Sequence, residues 1–261
     1  MTAGSALVTG AAVRLGRAMA VALAEDGRDV AIHYNGSEAE AEETAGAVRA
    51  TGRRAVTLRA DLLDEDAAAA LVGRAAEALG PLDVLVNNAS IFENDHVADM
   101  TRESWDRAMG SNLRAPVQLS QAFAAQAPEA ATDANGEPVA RAVIVNMLDQ
   151  RLLKPTPHFQ SYTMAKAGLQ MFTRTAAQAL APHVRVAAIG PGPTLRAARQ
   201  SEAHFARQRA ACMLGRGSDP EDIVTALRFI LACKAFTGQM LAIDGGQHLA
   251  WKTADVAGTD H

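Results

Sequence analysis

Three residues in the stretch 147–166, MLDQRLLKPTPHFQSYTMAK, have the types and spacing of a proton-handling group. Asp149 closes an apolar run, Tyr162 follows thirteen residues later, and Lys166 four after that. Tyr162 and Lys166 stand at i and i+4 of a helical pattern and so share one face. A free phenol titrates near ~10. A neighbouring ammonium, with any positive charge a bound cofactor brings, is expected to lower that value and make the phenol a general acid or base near neutral pH. Lys166 also has donors to spare for the hydroxyls of a bound cofactor. The Tyr-x-x-x-Lys pair is common by itself; opening a helix just after a strand that ends in a carboxylate, it becomes informative. Asn112, in MGSNLRAP, sits inside the preceding helical pattern, either as an ordinary polar position or as a link to Lys166 through water.

These groups need a scaffold, and the hydrophobic pattern supplies one. Short apolar runs lie at 5–10, 30–34, 55–58, 83–88, 142–147, 184–189 and 240–244. Most are Val/Ile/Leu-rich without alternation, as strands covered on both faces are. Between them fall Ala-rich helical stretches near 14–26, 38–50, 64–79, 101–126, 162–181 and 219–232, with start signals at Asp64, Thr101 and Asp219–Pro220. Alternating β and α of this kind predicts an α/β class, single-domain Rossmann fold. It is a doubly wound parallel sheet of about seven strands with helices on both faces. The polar stretch 128–141 reads as a surface loop, and the tail after 251 as a polar end to a single domain spanning 1–261.

The first strand runs into TGAAVRLGRAMA, a glycine-bracketed turn that opens a helix. Gly10 and Gly16 let backbone approach a pyrophosphate, and the helix start supplies N–H donors. Leu15 and a bulky cation, Arg14, lie between them. An acid that would grip a ribose 2′-hydroxyl is missing from the end of the second strand, HYNGSEAE, until Glu38. His33 and Ser37, with Tyr34 between them and Arg14 across the turn, instead suit a 2′-phosphate and hence NADPH/NADP. Asp61, next to Leu62 in RADLLDED, is placed either for an adenine amino group or to cap the helix near Asp64. After the fourth strand, Asn88, Ala89 and Ser90 line the same edge, and Asn87 either supports the turn or touches the nucleotide.

Composition limits the alternatives. The chain has 261 residues, 49% hydrophobic but only 4% aromatic, so Ala, Val and Leu must fill the core. A net charge of −4 gives no general attraction for nucleic acid or anionic lipid. Two cysteines, Cys212 and Cys233, are too few for a disulfide framework or a zinc cluster, so no metal is expected. No charged-then-apolar leader and no apolar run near ~18 residues is present, which predicts a soluble, cytoplasmic protein.

Taken together in order from 5 to about 250, TGAAVRLG, NNAS, the Asn of GSNLRAP, Tyr162-x-x-x-Lys166, GPGP and the terminal DGG resemble the short-chain dehydrogenase/reductase family. Most members of that family carry Ser where this chain has Asp149, and Gly where it has Arg14. Those changes, with HYNGS, NNASIF, NMLD and the DGG-x-HL at 244–249, resemble the pteridine reductase branch, including bacterial dihydropteridine (dihydromonapterin) reductases. The resemblance implies NADPH, with Arg14, His33 and Ser37 on its phosphates and Pro191 and Thr194 near the nicotinamide carboxamide. It implies a pterin stacked on Phe92, beside Ser90, with Asp149 and Tyr162 handling protons. Gly36 replaces a longer side chain that often grips the 2′-phosphate, which leaves more to Arg14. By the same resemblance, 194–215 forms a substrate lid, and the long helices at 101–126 and 162–181 pair into a homotetramer. The expected activity is hydride transfer to a pteridine C=N bond. A carbonyl or 3-oxoacyl thioester reductase on the same scaffold, and a non-catalytic NADP-binding regulator, remain as alternatives.

Overall fold

The computed structural model describes residues 4–197 and 200–252. Seven parallel strands form one sheet: β1 Ser5–Val8, β2 Asp29–Tyr34, β3 Ala55–Arg59, β4 Val84–Asn87, β5 Ala142–Met147, β6 Val184–Pro191 and β7 Met240–Ile243. Their order across the sheet is β3-β2-β1-β4-β5-β6-β7, with every neighbouring pair parallel. Strand order reverses between β1 and β4, so the chain leaves these two strands in opposite directions and opens a crevice at their carboxyl ends.

The strands are apolar on both faces because helices cover both. On one side α1 (Arg14–Glu25), α2 (Glu38–Ala50) and α8 (Pro220–Ala232) pack Met19, Leu23, Val48, Ile223 and Leu227 against Ala6, Val8, Val30 and Val145. On the other, α3 (Glu65–Leu79), α5 (Ala115–Gln126) and α6 (Gln160–Leu180) set Leu71, Leu119, Phe123 and Ala176 against Leu7, Leu85 and Ile144. Full burial of each large aliphatic or aromatic side chain favours the folded state by about 1.5–3 kcal/mol. The remaining helices, α4 (Arg102–Met109) and α7 (Glu202–Ala210), lie at the sheet's carboxyl end, α7 within the expected lid. Among the described residues no helix is long and apolar enough to cross a membrane.

Two elements differ from the sequence reading. The helix expected at 101–126 is interrupted by a π-helical turn, Gly110–Arg114, between α4 and α5. Asn112 sits in that turn, and its Nδ2 donates to the Ala108 carbonyl at 3.1 Å. The stretch 128–141 contains a short antiparallel pair, Ala131–Thr132 with Pro138–Val139, closed by Asp133 accepting from the Asn135 and Glu137 amides. The polar tail expected after 251 falls, from 253 onward, outside the described residues, as do lid positions 198 and 199.

Candidate active site

Thr9 joins the two strands at the switch point. Its hydroxyl accepts from the backbone N–H of Asn88 (2.8 Å) and Ala89 (3.0 Å), while Asn88 Nδ2 donates to the carbonyls of Thr9 (2.8 Å) and Gly10 (3.0 Å). Gly10 adopts φ +60°, and a Cβ on Gly16 would stand 2.2 Å from the Gly10 carbonyl. Only hydrogen fits there, so the turn and the first turn of α1 close into a tight cradle. No side chain caps α1, which leaves its first N–H groups for a ligand. The hydroxyl of Ser37 at the start of α2 likewise makes no cap bond, and Asn35 and Gly36, not an acid, end the loop after β2. Cradle, donor set and absent acid fit a dinucleotide with a 2′-phosphate.

His33 needs correction. It is 2% exposed; its Nδ1 accepts the Gly10 N–H at 3.0 Å, which makes Nε2 the donor to the Ala60 carbonyl at 3.1 Å. Burial pushes its pKa down to about 4, so the ring is neutral and has no N–H left for a phosphate. Its work is to hold the glycine turn. Arg14 also differs: at φ +57° its guanidinium donates to the carbonyls of Arg196 (2.9 Å) and Leu195 (3.1 Å), tying the phosphate turn to the lid. Leu15 packs against the α1/α8 core, Leu62 against the α3/α5 core, and Tyr34 is buried. Asp61 spends one oxygen on the Leu63 amide, while Asp64 is the cap of α3. Asn87 is structural, donating to Asn146 Oδ1 (2.8 Å) and Ser120 Oγ (3.3 Å).

Asp149, Tyr162 and Lys166 converge where β5 ends. The Tyr162 hydroxyl donates to Asp149 Oδ2 at 3.0 Å. Asp149 Oδ1 accepts the Arg151 N–H at 2.7 Å, so the carboxyl both starts the short turn Gln150–Leu152 and faces the phenol. Lys166 is 2% exposed; its Nζ donates to the Met147 carbonyl at 2.7 Å and lies 5.7 Å from the centre of the Tyr162 ring. Burial pulls the lysine down to about 8 against the pull of Asp149. The expected lowering of Tyr162 is reversed: burial, then the Asp149 charge and hydrogen bond, raise the phenol well above its usual value. At neutral pH Tyr162 is therefore a proton donor, not a phenolate. Asn112 is spent elsewhere than on Lys166. Its Oδ1 accepts from Ser90 Oγ at 2.7 Å and its Nδ2 donates to Ile91 at 2.9 Å, which fixes the loop after β4.

Phe92, 47% exposed, lies edge-on to Tyr162 with ring centres 4.7 Å apart. It stacks on Phe159, which the sequence reading missed, at 4.1 Å and 5°. Phe159 begins α6 in a left-handed conformation, φ +58°, with the Arg151 guanidinium 5.0 Å from its ring centre. Its signal was present, an aromatic three residues before Tyr162. Asp95 was also missed. It accepts from the Ser161 amide (3.1 Å), the Ser161 hydroxyl and Ser104 Oγ (3.0 Å), clasping the loop after β4 to the start of α6. Nothing local distinguished this loop aspartate. Pro191 ends β6, and the Thr194 hydroxyl is paired with Ser218 Oγ at 2.6 Å.

A cradle at the switch point and a Tyr–Lys pair at the next strand end define a Rossmann-type oxidoreductase. The family model for short chain dehydrogenase matches residues 5–206, and the chain belongs to that family. It is similar to the FolM alternative dihydrofolate reductase 1 of Brucella canis, whose crystal structure is complexed with NADP: TM-score 0.90, 41% identity, 97% of each chain covered. A short chain dehydrogenase from Burkholderia cenocepacia, also in complex with NADP, superimposes with TM-score 0.84 and 33% identity over 94% of this chain and 97% of that one. By sequence, the chain is 29% identical over 250 residues to a 3-oxoacyl-[acyl-carrier-protein] reductase FabG of Staphylococcus aureus, covering 94% of this chain and 98% of that protein.

Proposed function

We propose that the protein is an NADPH-dependent reductase of a pteridine-type C=N bond, acting on dihydropteridines or dihydrofolate. The observation that carries this reading is the hydrogen bond from Tyr162 to Asp149, 3.0 Å long, beside the exposed ring of Phe92. Reduction of a ketone and of a ring C=N bond both add a hydride to carbon and a proton to the heteroatom, and Tyr162 can serve either. A carboxylate beside the phenol suits the heterocycle, because it accepts from a ring amino group or a water as well as relaying a proton, which a hydroxyl does less well. NADPH, held by the Gly10–Gly16 cradle, the start of α1, Arg14 and Ser37, would supply the hydride to the carbon of the C=N bond. Tyr162 gives its proton to the nitrogen. Buried against an anion, the phenolate it leaves is unfavourable, so as Tyr162 gives up its proton a second one from solvent is bound by the Asp149 carboxylate and passed along their hydrogen bond to the phenol. Asp149 is half-buried and so can take its own proton from solvent. Lys166 balances the transient negative charge with its ammonium. Phe92 offers a flat apolar face to a flat substrate. The similarity to the Brucella FolM protein supports the same reading.

A 3-oxoacyl thioester reductase is the second reading, favoured by the named activity of the Staphylococcus relative. Tyr162 and Lys166 serve both chemistries; Asp149 separates them. The test is NADPH oxidation by the purified protein with 7,8-dihydropteridines, dihydrofolate and a 3-oxoacyl thioester side by side. Turnover of the heterocycles well above that of the thioester supports the proposal; preference for the thioester removes it. A cytoplasmic homotetramer is part of the same proposal, and sedimentation of the purified protein checks its assembly.

A further inference from the structure

Helix α6 carries both Tyr162 and Lys166, yet its first turn has no cap of its own. Phe159 precedes it in a left-handed conformation and makes no side-chain cap bond. Ser161 and Tyr162 are buried, so water does not serve the free N–H groups that a helix start leaves. A residue from another loop serves them instead. The Asp95 carbonyl accepts the Gln160 N–H at 3.2 Å, and Asp95 Oδ1 accepts the Ser161 N–H at 3.1 Å. Its Oδ2 takes the Ser161 hydroxyl and, at 3.0 Å, Ser104 Oγ. Ser104 in turn completes the capping box of α4. One carboxylate, 5% exposed, therefore joins the loop after β4, the start of α4 and the start of α6. An anion at that end of α6 also matches the helix dipole.

The pairing extends to either side of Asp95. Phe92 stacks on Phe159 at 4.1 Å, and the rings of His96 and His158 meet at 2.7 Å through Nε2 and Nδ1. Residues 92–96 thus run along 158–161, and Asp95 with Ser161 is the buried pair of that seam. The consequence differs for the two working side chains of α6. Lys166 has an anchor of its own in the Met147 carbonyl. Tyr162 has less: among the described residues its phenol is bonded only to Asp149 Oδ2, on a carboxyl whose other oxygen holds the Gln150–Leu152 turn. Where the phenol stands follows from where the first turn of α6 begins, and Ser161 is the residue before it. Phe92, edge-on to the same phenol, lies three residues before Asp95.

We infer that Asp95 is a positioning residue for the proton transfer: it sets the Tyr162 hydroxyl against the Phe92 face, where the heteroatom of a substrate must arrive. It has no hydrogen bond to either side chain and acts through the start of α6 and the loop after β4. This rests on Tyr162 as the proton donor, which the pteridine and thioester readings share, and it does not depend on which of the two holds.

The test is a cycle of wild type, Asp95→Ala, Tyr162→Phe and the double variant. kcat is measured at saturating NADPH with whichever of a dihydropteridine and a 3-oxoacyl thioester the wild type reduces. Asp95→Ala should lower kcat about 10- to 100-fold, since misplacing a reacting group by about 1 Å can cost about 10². In the Tyr162→Phe background the same substitution should cost less than about 3-fold, because residues that act as a unit do not add. Asp95→Asn keeps an oxygen for the Ser161 amide and can donate to the two hydroxyls, and it should recover most of the loss. NADPH affinity, set at the Gly10–Gly16 cradle, should stay within a few-fold throughout. Should Asp95→Ala not fold, Ser161→Ala carries the same cycle, with a smaller loss that likewise disappears in the Tyr162→Phe background. Equal losses in both backgrounds overturn the positioning role, since they mean that Asp95 supports the fold at large. A Tyr162→Phe variant with wild-type turnover removes the general acid itself, and this inference with it.

Discussion

Replacing Lys166 by methionine should stabilise the cofactor-free protein at neutral pH and flatten its response to alkali. Lys166 is nearly inaccessible at 2% exposure, and burial lowers its pKa from 10.5 to about 8. At 1.36 kcal/mol per pKa unit, a gap of about 2.5 corresponds to about 3 kcal/mol of cost carried by the folded state below pH 8. The unfolded chain keeps this proton to about 10.5, while the folded protein releases it near 8. Between those values the unfolded state binds more protons, so the wild-type free energy of unfolding rises with pH through that window. Methionine fills similar volume without charge but leaves the Met147 carbonyl without its 2.7 Å donor, a loss of about 1 kcal/mol. The net gain for Lys166→Met is about 2 kcal/mol at pH 7, shrinking as pH rises and reversing once the lysine is neutral in both states. Urea midpoints of both proteins at pH 7, 8, 9 and 10 measure this directly. Parallel curves, or a variant less stable than wild type at pH 7, would refute the reasoning.

Removing the phenol by Tyr162→Phe should lower kcat by about 10²–10⁴ while NADPH affinity, measured by fluorescence titration, stays within a few-fold, because the loss is that of a general acid. His33 predicts an acid sensitivity of the fold. Its folded pKa of about 4 lies below the usual 6.5, so the stability tied to its neutral ring is complete above 6.5 and is lost as pH falls towards 4. His33→Phe should remove that slope between pH 6.5 and 4, seen by denaturant titration, and should destabilise at pH 7 because the Gly10 amide and Ala60 carbonyl lose their partner. NADPH affinity of the wild type should show no step near pH 6.5 that disappears in His33→Phe; such a step would mean that the ring meets the phosphate after all.

The sheet and most helices were legible because burial on both faces writes itself as unbroken Val/Ile/Leu runs, and because Thr101 and Asp219 are start signals with one meaning. That Asp149, Tyr162 and Lys166 come together was legible for a different reason: a strand end and an i, i+4 helical spacing bring those side chains to one place. What the sequence hid depends on orientation. It showed a histidine at a strand end, but not that both ring nitrogens of His33 are taken up by the chain itself. It placed an ammonium near a phenol, but the sign of the Tyr162 shift is set by burial and by which way Asp149 turns. Periodicity cannot reveal the extra residue per turn that seats Asn112 in a π-helical turn, since the apolar pattern on either side continues unbroken. Phe159 and Asp95 act through contacts across loops, where sequence spacing carries no geometric meaning.

The central claim is that a carboxyl reloads the phenol, so that the site protonates nitrogen. It is tested most directly by the ratio of dihydropteridine to 3-oxoacyl thioester turnover in wild type, Asp149→Asn and Asp149→Ser, at saturating NADPH. The account predicts that both substitutions depress pteridine kcat by about 10²-fold or more, as loss of a general acid does. Thioester turnover should fall far less, and least in Asp149→Ser, where a hydroxyl is regained. Pteridine turnover that survives in Asp149→Asn, or a thioester rate that falls in step with it, would contradict the claim.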